Sequence, residues 1–562
     1  MPRIQSAQVI YAVIVIEPAV WVRRSSSVRS EKSILIVLLL ALLVSSTIRL
    51  VPLAWSPLPY NIDGLSEYRT ADDIVSTGHL EFDPNSSHAD SYVTDMPLFG
   101  IVIAFFSVSL GLDPLTSAQI VAALLGTIAI LLGYLIFTQH FPSTRGSVTG
   151  LVVLALLGSF VFSTACVWKE TLGILLILLS LFAYHLRDSL PYRALLLLSL
   201  VLLVFTHHQS TVVGFLIISF ATMIALSNHP RAARLSQKEL LDILTLFVIW
   251  ALAIAYYTSV DLPYLDYLSP AGDLYLYLAV GGLLLAVAVR MSRRSGALTK
   301  FPFEFVMILV GASLMLYNYY DPIFPGTPSP SSLILVPMLA YLLLAVLAWP
   351  GYQLATANRG PSKNLVLAMV FAPLSLILFA FLRGLDETSY TVIFRTFDFL
   401  MPAFAILVGL GFALAIKGRE RLGAVAGVFF VVVCASTLPI AYSTQDLFGV
   451  QNQTYQFEYD AVEWFSAHGV DGYASDQRLS ETGWRLFDMN ASRGLPYDLV
   501  EGIALDAGSF YVVEGQWSTN GAQEFPFGVV IVDEETMDGV IDESDMVYIG
   551  GPLESQLILF RT

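Results

Sequence analysis

The sequence predicts a polytopic α-helical membrane protein that carries a small C-terminal α/β or α+β domain outside the bilayer. Two observations predict it. Of 562 residues, 56% are hydrophobic and only 13% charged, about half the charged share usual in soluble domains. The charge is also partitioned. From Gln445 onward the chain holds 21 Asp/Glu and 4 Lys/Arg, whereas the residues before it hold 24 acids and 25 bases. The formal charge of −16 therefore belongs to the C-terminal region. Such an excess of acid keeps a domain dispersed at high ionic strength. It argues against nucleic acid as a partner, because phosphate binding needs a basic face.

Taken in order, residues 1–33 contain an apolar run broken at Glu17-Pro18 and then a basic stretch through Lys32. That run is short for a span and lacks a cleavage pattern, so it reads as a cytoplasmic N-terminal tail. Apolar segments follow near 34–54, 115–138, 147–166, 170–186, 193–207, 211–227, 240–259, 273–290, 302–317, 332–349, 364–382, 396–416 and 421–442. They are read as membrane spans, for which about 20 residues cross ~30 Å of hydrocarbon. The expected division is a membrane domain over 34–444, with a first outer loop at 55–95, and an acidic extracellular domain over 445–562. Cys166 and Cys434 lie in apolar segments with no disulfide framework or metal-ligand spacing, and read as small core residues.

The run Met96–Leu112 is shorter, and charge placement decides its reading. With thirteen spans and a cytoplasmic N-terminus, one set of loops carries twenty Lys/Arg and the other only five. That is a strong positive-inside bias. A fourteenth span at 96–112 would swap every later loop and destroy it, so this run is expected to be re-entrant or to lie on the membrane surface. Three sequons, at Asn85, Asn452 and Asn490, all fall on the expected outer side.

Ionisable groups inside hydrocarbon are costly, so those gathered at span ends are functional candidates. Here they collect at outer ends: Asp63, Glu67, Arg69, Lys169, Glu170, His207, His208, Arg383, Arg395 and Asp398. Glycosyl transfer from a lipid-phosphate sugar would use such a set. An acceptor hydroxyl needs a carboxylate base, and the departing phosphate needs Arg, Lys or His beside it. Asp63 is the candidate base, with Glu67 as a second acid. Arg69, Lys169, Glu170, His207, His208, Arg383, Arg395 and Asp398 are the candidate donor-binding residues. Plainer readings stand beside these. Asp63 could cap a surface helix, Glu67 and Arg69 could be solvated, and Glu170 suits a helix N-terminus electrostatically. Arg395 and Asp398 could form a structural ion pair. The acid-x-acid pair Glu81-Phe82-Asp83 is too isolated to assign a metal, and no cofactor is expected.

Several short stretches resemble the GT-C superfamily of polyprenyl-phosphate-sugar glycosyltransferases: Thr47-Ile-Arg-Leu-Val-Pro-Leu53, an aspartate in a long outer loop, and Tyr92-Val-Thr-Asp-Met-Pro-Leu98. The turns Trp168-Lys-Glu-Thr171 and Thr206-His-His-Gln-Ser210 look like those of its archaeal dolichyl-phosphate-mannose-dependent mannosyltransferases, which act in S-layer N-glycosylation. The resemblance covers the membrane domain. It implies that Asp63 is the base and that a dolichyl-phosphate-mannose donor is used in the membrane. It also implies a lipid- or protein-linked oligosaccharide acceptor on the outer face, and inverting transfer without a metal. Relatives commonly carry Asp-Glu at this position, whereas this chain has Asp63-Gly64, with the next acid at Glu67. Competing readings are an oligosaccharyltransferase-like subunit, although no Trp-Trp-Asp-Tyr-Gly stretch occurs, and a lipid-linked-sugar flippase or transporter, although no internal repeat is visible. A third makes the C-terminal domain a carbohydrate-binding or assembly module.

Overall fold

The computed structural model describes residues 28–80, 95–141, 143–228, 235–260, 272–293, 303–321, 323, 332–357, 360–418, 420–442, 451–524, 528–552 and 556–562. Most of the N-terminal tail, the Asn85 sequon, Glu81-Phe82-Asp83 and Tyr92–Thr94 lie outside the described residues.

The membrane part is a helical bundle. In chain order its helices are α1 (Val28–Arg49), α2 (Asp63–Thr77), α3 (Leu98–Leu110), α4 (Pro114–His140), α5 (Thr144–Leu156), α6 (Gly158–Ala165), α7 (Lys169–His185), α8 (Leu190–Val204) and α9 (His208–Ser227). Then follow α10 (Gln237–Ser259), α11 (Gly272–Arg293), α12 (Phe303–Tyr320), α13 (Leu335–Thr356), α14 (Pro361–Arg383), α15 (Glu387–Asp398), α16 (Met401–Ala415) and α17 (Glu420–Ala435). Every one of the thirteen expected apolar segments is helical. Among the described residues eight helices are long and apolar enough to cross a membrane, or ten when each of two bent pairs counts as one span. The other three segments form helices of 17, 15 and 18 residues (α7, α8 and α12). The chain is a multi-pass membrane protein. Helix α3 has 13 residues, about 20 Å at ~1.5 Å per residue, too short to span.

Two segments differ from the straight spans expected of them. Segment 147–166 is broken into α5 and α6, bent by 60°, and α15 meets α16 at 44°. The first break occurs where the backbone of Gly158 meets Thr437: a Cβ there would come within 1.9 Å of the Thr437 carbonyl oxygen. The freed N–H of Gly158 donates to Thr437 Oγ1 (2.8 Å), and that of Ser159 donates to the Tyr341 hydroxyl (2.9 Å). Interrupted helices at membrane depth need such replacement partners. The break redirects α6 so that Cys166–Trp168 runs extended across one end of the bundle.

The bundle is closed by small residues. A Cβ on Gly351 of α13 would lie 1.7 Å from the Leu407 carbonyl oxygen, and one on Gly411 of α16 would lie 1.8 Å from that of Leu347. The two backbones touch, as small-residue packing allows. At the bundle's first helix, Arg49 is buried and donates to Thr164 Oγ1 (2.9 and 2.7 Å) and Ser45 Oγ (2.7 Å), clamping α1 to α6.

The C-terminal domain contains α18 (Gln456–Ala467), β1 (Gly472–Ala474), α19 (Gln477–Phe487), β2 (Asn490–Ser492), α20 (Leu495–Glu501), β3 (Phe510–Glu514), β4 (Ala522–Glu524), β5 (Gly528–Val530), α21 (Glu534–Asp542), β6 (Asp545–Gly550) and β7 (Leu557–Arg561). A mixed sheet has the order β2-β1-β3-β7-β6, parallel for its first three strands and antiparallel thereafter. Alternate residues face opposite sides. Val512, Leu557 and Leu559 pack with Val462 and Phe465, while Tyr511, Val513 and Phe560 pack with Leu495 and Trp517. Both faces are covered, so the domain is layered about its sheet. Inside it, buried Arg478 bridges Glu458 of α18 (2.5 Å) and Glu514 of β3 (2.7 Å).

Because overpacking typically costs about 1–3 kcal/mol, Gly411→Val is expected to lower the thermal unfolding midpoint in detergent. Gly427→Ala, where nothing lies within 4 Å of the added Cβ, is expected to hold or raise it, because alanine is the better helix former.

Candidate active site

The site is built on the residues just before α2. Asn61 adopts the left-handed region (φ 83°), which Asn tolerates better than most residues. Its Oδ1 accepts a hydrogen bond from the Asp63 N–H (3.0 Å). The cap position of α2 is Ile62 and Asp63 is its first residue, so Asp63 is not the helix cap. The approach to it is pinned from all sides. The Tyr60 N–H donates to Gln119 Oε1 (3.1 Å), its carbonyl accepts from Val167 N–H (2.9 Å), and its hydroxyl donates to the Ala441 carbonyl (2.7 Å). Gln119 Nε2 in turn donates to the Ala165 and Arg49 carbonyls.

This docking explains the departure at Gly64. A Cβ there would lie 2.6 Å from Pro59 Cβ and 2.9 Å from Val167 Cβ, so a glutamate cannot follow Asp63 without displacing the turn. The next acid is Glu67, one helical turn on and therefore on the same face as Asp63.

Freed from capping, the Asp63 carboxylate faces two guanidiniums. Oδ2 lies 3.4 Å from Arg395 Nη2, and Oδ1 lies 3.7 Å from Arg485 Nη2. Arg395, in the last turn of α15, also gives Nη1 to Glu170 Oε1 at 2.5 Å. It lies 3.4 Å from His207 Nε2 and over the Trp168 ring (5.8 Å). Gln209 Nε2 fixes α15 against α9 through the Val392 carbonyl (3.1 Å) and Thr396 Oγ1 (2.9 Å). His207 is the N-cap of α9, its Nδ1 accepting from the Ser210 N–H. In the neutral ring that leaves the proton on Nε2, 3.5 Å from Glu170 Oε1.

Behind this group, Lys169 Nζ lies 3.6 Å from Glu67 Oε1 with both side chains buried. Glu67 Oε2 has no hydrogen-bond partner among the described residues. Burial pushes the Glu67 carboxyl up to about 7, with the Lys169 ammonium pulling it down and the Asp63 charge pushing it further up. Asp95, from the Tyr92–Leu98 motif, is also raised by burial and opposed by Lys169.

The structure thus brings together Asp63, Glu67, Lys169, Glu170, His207 and Arg395, with His208 edge-to-face on His207 (4.7 Å between ring centres). Asp398 is buried one turn beyond Arg395, whose ion pairs go instead to Glu170 and Asp63. Two candidates are engaged elsewhere. Arg383 pairs with Asp273 (3.3 Å) and Asp386 (2.6 Å), joining α14, α11 and the cap of α15. Arg69 forms a forked pair with Asp488 (2.5 and 2.8 Å), joining α2 to the C-terminal domain. Sequence reasoning missed Arg485, which reaches both Asp63 and Ser66 Oγ (2.6 Å). A base in a domain holding only 4 was the available signal, but nothing in the linear sequence connects it to residue 63.

The C-terminal domain is docked by more than Arg485. Tyr60 bridges Gln453, and the Asn61 N–H donates to the Asn452 carbonyl (2.9 Å). The Asn452 sequon therefore sits within the interdomain contact.

With that geometry in hand, solved structures can be compared. The archaeal oligosaccharyltransferase AglB from Archaeoglobus fulgidus, solved with an inhibitory peptide and a dolichol-phosphate, superposes with a TM-score of 0.55 at 13% identity. The match covers 94% of this chain and 74% of that one. The fold is GT-C-like. A mutant of the arabinofuranosyltransferase AftD from Mycobacteria matches at a TM-score of 0.50 and 14% identity, over 93% of this chain but 41% of that one. At such identities the likeness concerns the GT-C-like fold alone. No protein-family model matches the sequence, and no curated protein sequence matches it.

Two outcomes are expected. A carboxyl raised in the folded state contributes stability below its unfolded value that is lost as pH rises through the folded one. Stability should therefore fall between pH 4.5 and about 7 through Glu67, and Glu67→Gln should flatten that slope in thermal melts. Arg485→Ala should speed amide hydrogen exchange across residues 63–69 while β3 and β7 stay protected.

Proposed function

We propose that this chain is a membrane glycosyltransferase that moves a sugar from a polyprenyl-phosphate donor, with mannose on dolichyl phosphate as the favoured donor, to an oligosaccharide acceptor on the outer face of the cell membrane. The observation that carries the reading is the Asp63 carboxylate held beside Arg395 at the end of the bundle where Lys169 and His207 also converge. In this reaction the acceptor oxygen attacks the anomeric carbon while the bond from that carbon to the phosphate oxygen breaks. The electron pair leaves with the phosphate, and Asp63 takes the hydroxyl proton. Attack opposite the leaving group inverts configuration.

Arg395 suits the leaving group because its guanidinium stays charged and offers a planar fork of donors. Nη1 is locked to Glu170 at 2.5 Å, whereas Nη2 meets Asp63 only at 3.4 Å. A lipid phosphate entering from the bilayer would pair with this guanidinium, and Lys169 would add a second positive charge. The outer placement rests on the positive-inside pattern, which assigns the site and the C-terminal domain to the same side. Surface-protein (S-layer) N-glycosylation is the process in which a lipid-phosphate sugar and an outer-face acceptor meet.

Oligosaccharyl transfer is the second reading, favoured by the extent of the likeness to AglB. The substrates separate the two: a single-sugar donor is expected to support transfer by the purified chain, and a lipid-linked oligosaccharide with an acceptor peptide is not. Asp63→Asn should reduce transfer roughly 10²–10⁴-fold with unchanged folding in detergent. Near-wild-type transfer by that variant would refute the mechanism.

A further inference from the structure

The C-terminal domain has a cavity that the reading so far does not use. It holds about 580 Å³; polar Ser480, Glu481, Asp488, Asn490 and Arg493 line it together with apolar residues that include Trp484 and Met489. That volume falls within the ~300–1,000 Å³ of small-molecule sites. It is linked to the candidate active site through two ion pairs. Arg485 is paired through Nε with Glu481 in the cavity while its Nη2 faces Asp63. Asp488 on the cavity rim is forked to Arg69 of α2, the helix that begins at Asp63.

We propose that this cavity is the acceptor subsite and that it takes the chain end of a neutral oligosaccharide. The proposal of an acceptor role rests on the glycosyltransferase reading; the binding of a neutral glycan does not. The charge arrangement selects the ligand class. Glu481 is held by both Arg485 and Arg493, and Asp488 by Arg69. Each acid in the wall is already matched by a cation, so neither an anion nor a cation gains a dominant partner. What remains are hydroxyl, amide and carboxylate edges that exchange hydrogen bonds with hydroxyls. The half-buried Trp484 indole adds an apolar face of the kind that packs against a sugar ring. A lipid donor needs apolar surroundings along its whole chain, which the helical bundle supplies. A glycan seated here would lie against Glu481, the ion-pair partner of the Arg485 that faces the base.

The test uses the full chain in detergent with a series of neutral manno-oligosaccharides, mono- to pentasaccharide, followed by saturation-transfer NMR. An anionic oligosaccharide of equal length serves as the charge control. Binding is expected to strengthen with length and to favour the neutral series. Trp484→Ala should weaken it at least tenfold, Trp484→Phe should restore most of it, and Asn490→Ala, an exposed change on the opposite wall, should also weaken it. Binding is read without any lipid donor and so does not depend on transfer, which separates failure of this proposal from failure of the catalytic reading. Absence of saturation transfer to every neutral glycan, or equal binding by Trp484→Ala in a chain with wild-type melting, overturns the proposal. So does equal binding of the anionic control. A glycan attached to Asn490 itself and occupying the cavity, detected by mass spectrometry of the purified chain, also overturns it.

Discussion

One guanidinium holds the site together. Arg395 pairs with Asp63 at the start of α2 and Glu170 at the start of α7, and lies beside His207 at the start of α9. A buried ion pair is seldom a net source of stability, because desolvation offsets the attraction, and removing one partner strands the other. What such a group does well is set register. The helices that supply these partners are distant in sequence, and Arg395 can meet all of them only if α15 is bent against α16 and α6 is bent away from α5. Both bends are present.

Those bends also show how a hydrophobic bundle affords a polar site. The interruption at Gly158 frees backbone N–H groups, which Thr437 and Tyr341 satisfy. The redirected chain then carries Trp168, Lys169 and Glu170 to the end of the bundle. There they meet the Tyr60–Asp63 turn, and Gly64 is required by the closeness of the two segments. The absence of a second acid at position 64 is thus a packing consequence. Glu67 keeps a carboxyl on the same helix face, buried against Lys169 and unusually weak as an acid.

The C-terminal domain is part of this arrangement. Its Arg485 and Asp488 reach α2, and its Asn452–Gln453 segment pairs with the turn that presents Asp63. The acid surplus that makes the domain look like an independent solubility tag coexists with a few basic residues, each tightly partnered. Arg478 bridges carboxylates inside the domain, and Arg485 looks outward to the bundle.

Much of this was legible in the linear chain because bilayer insertion writes itself into composition. Long apolar runs, the positive-inside pattern and acids massed after Gln445 sufficed for a helical bundle with an appended domain, and for singling out Asp63, Lys169, Glu170, His207 and Arg395. Periodicity and charge are local quantities that a sequence records directly. Which of the end-of-helix charges meet was not local. Arg383 and Arg69 have the same composition-level signature as Arg395, yet one closes a helix cap with Asp386 and the other docks a domain through Asp488. Arg485 lay over 400 residues from Asp63 in the sequence, and its one signal, a base among only 4 in an acidic domain, does not point to Asp63. The sequence by itself determined that polar chemistry would sit at one end of an apolar bundle, because hydrocarbon excludes charge from everywhere else. Only the tertiary structure decided which cations face the Asp63 carboxylate, because that depends on where two bent helices and a docked domain place their side chains within a few ångströms.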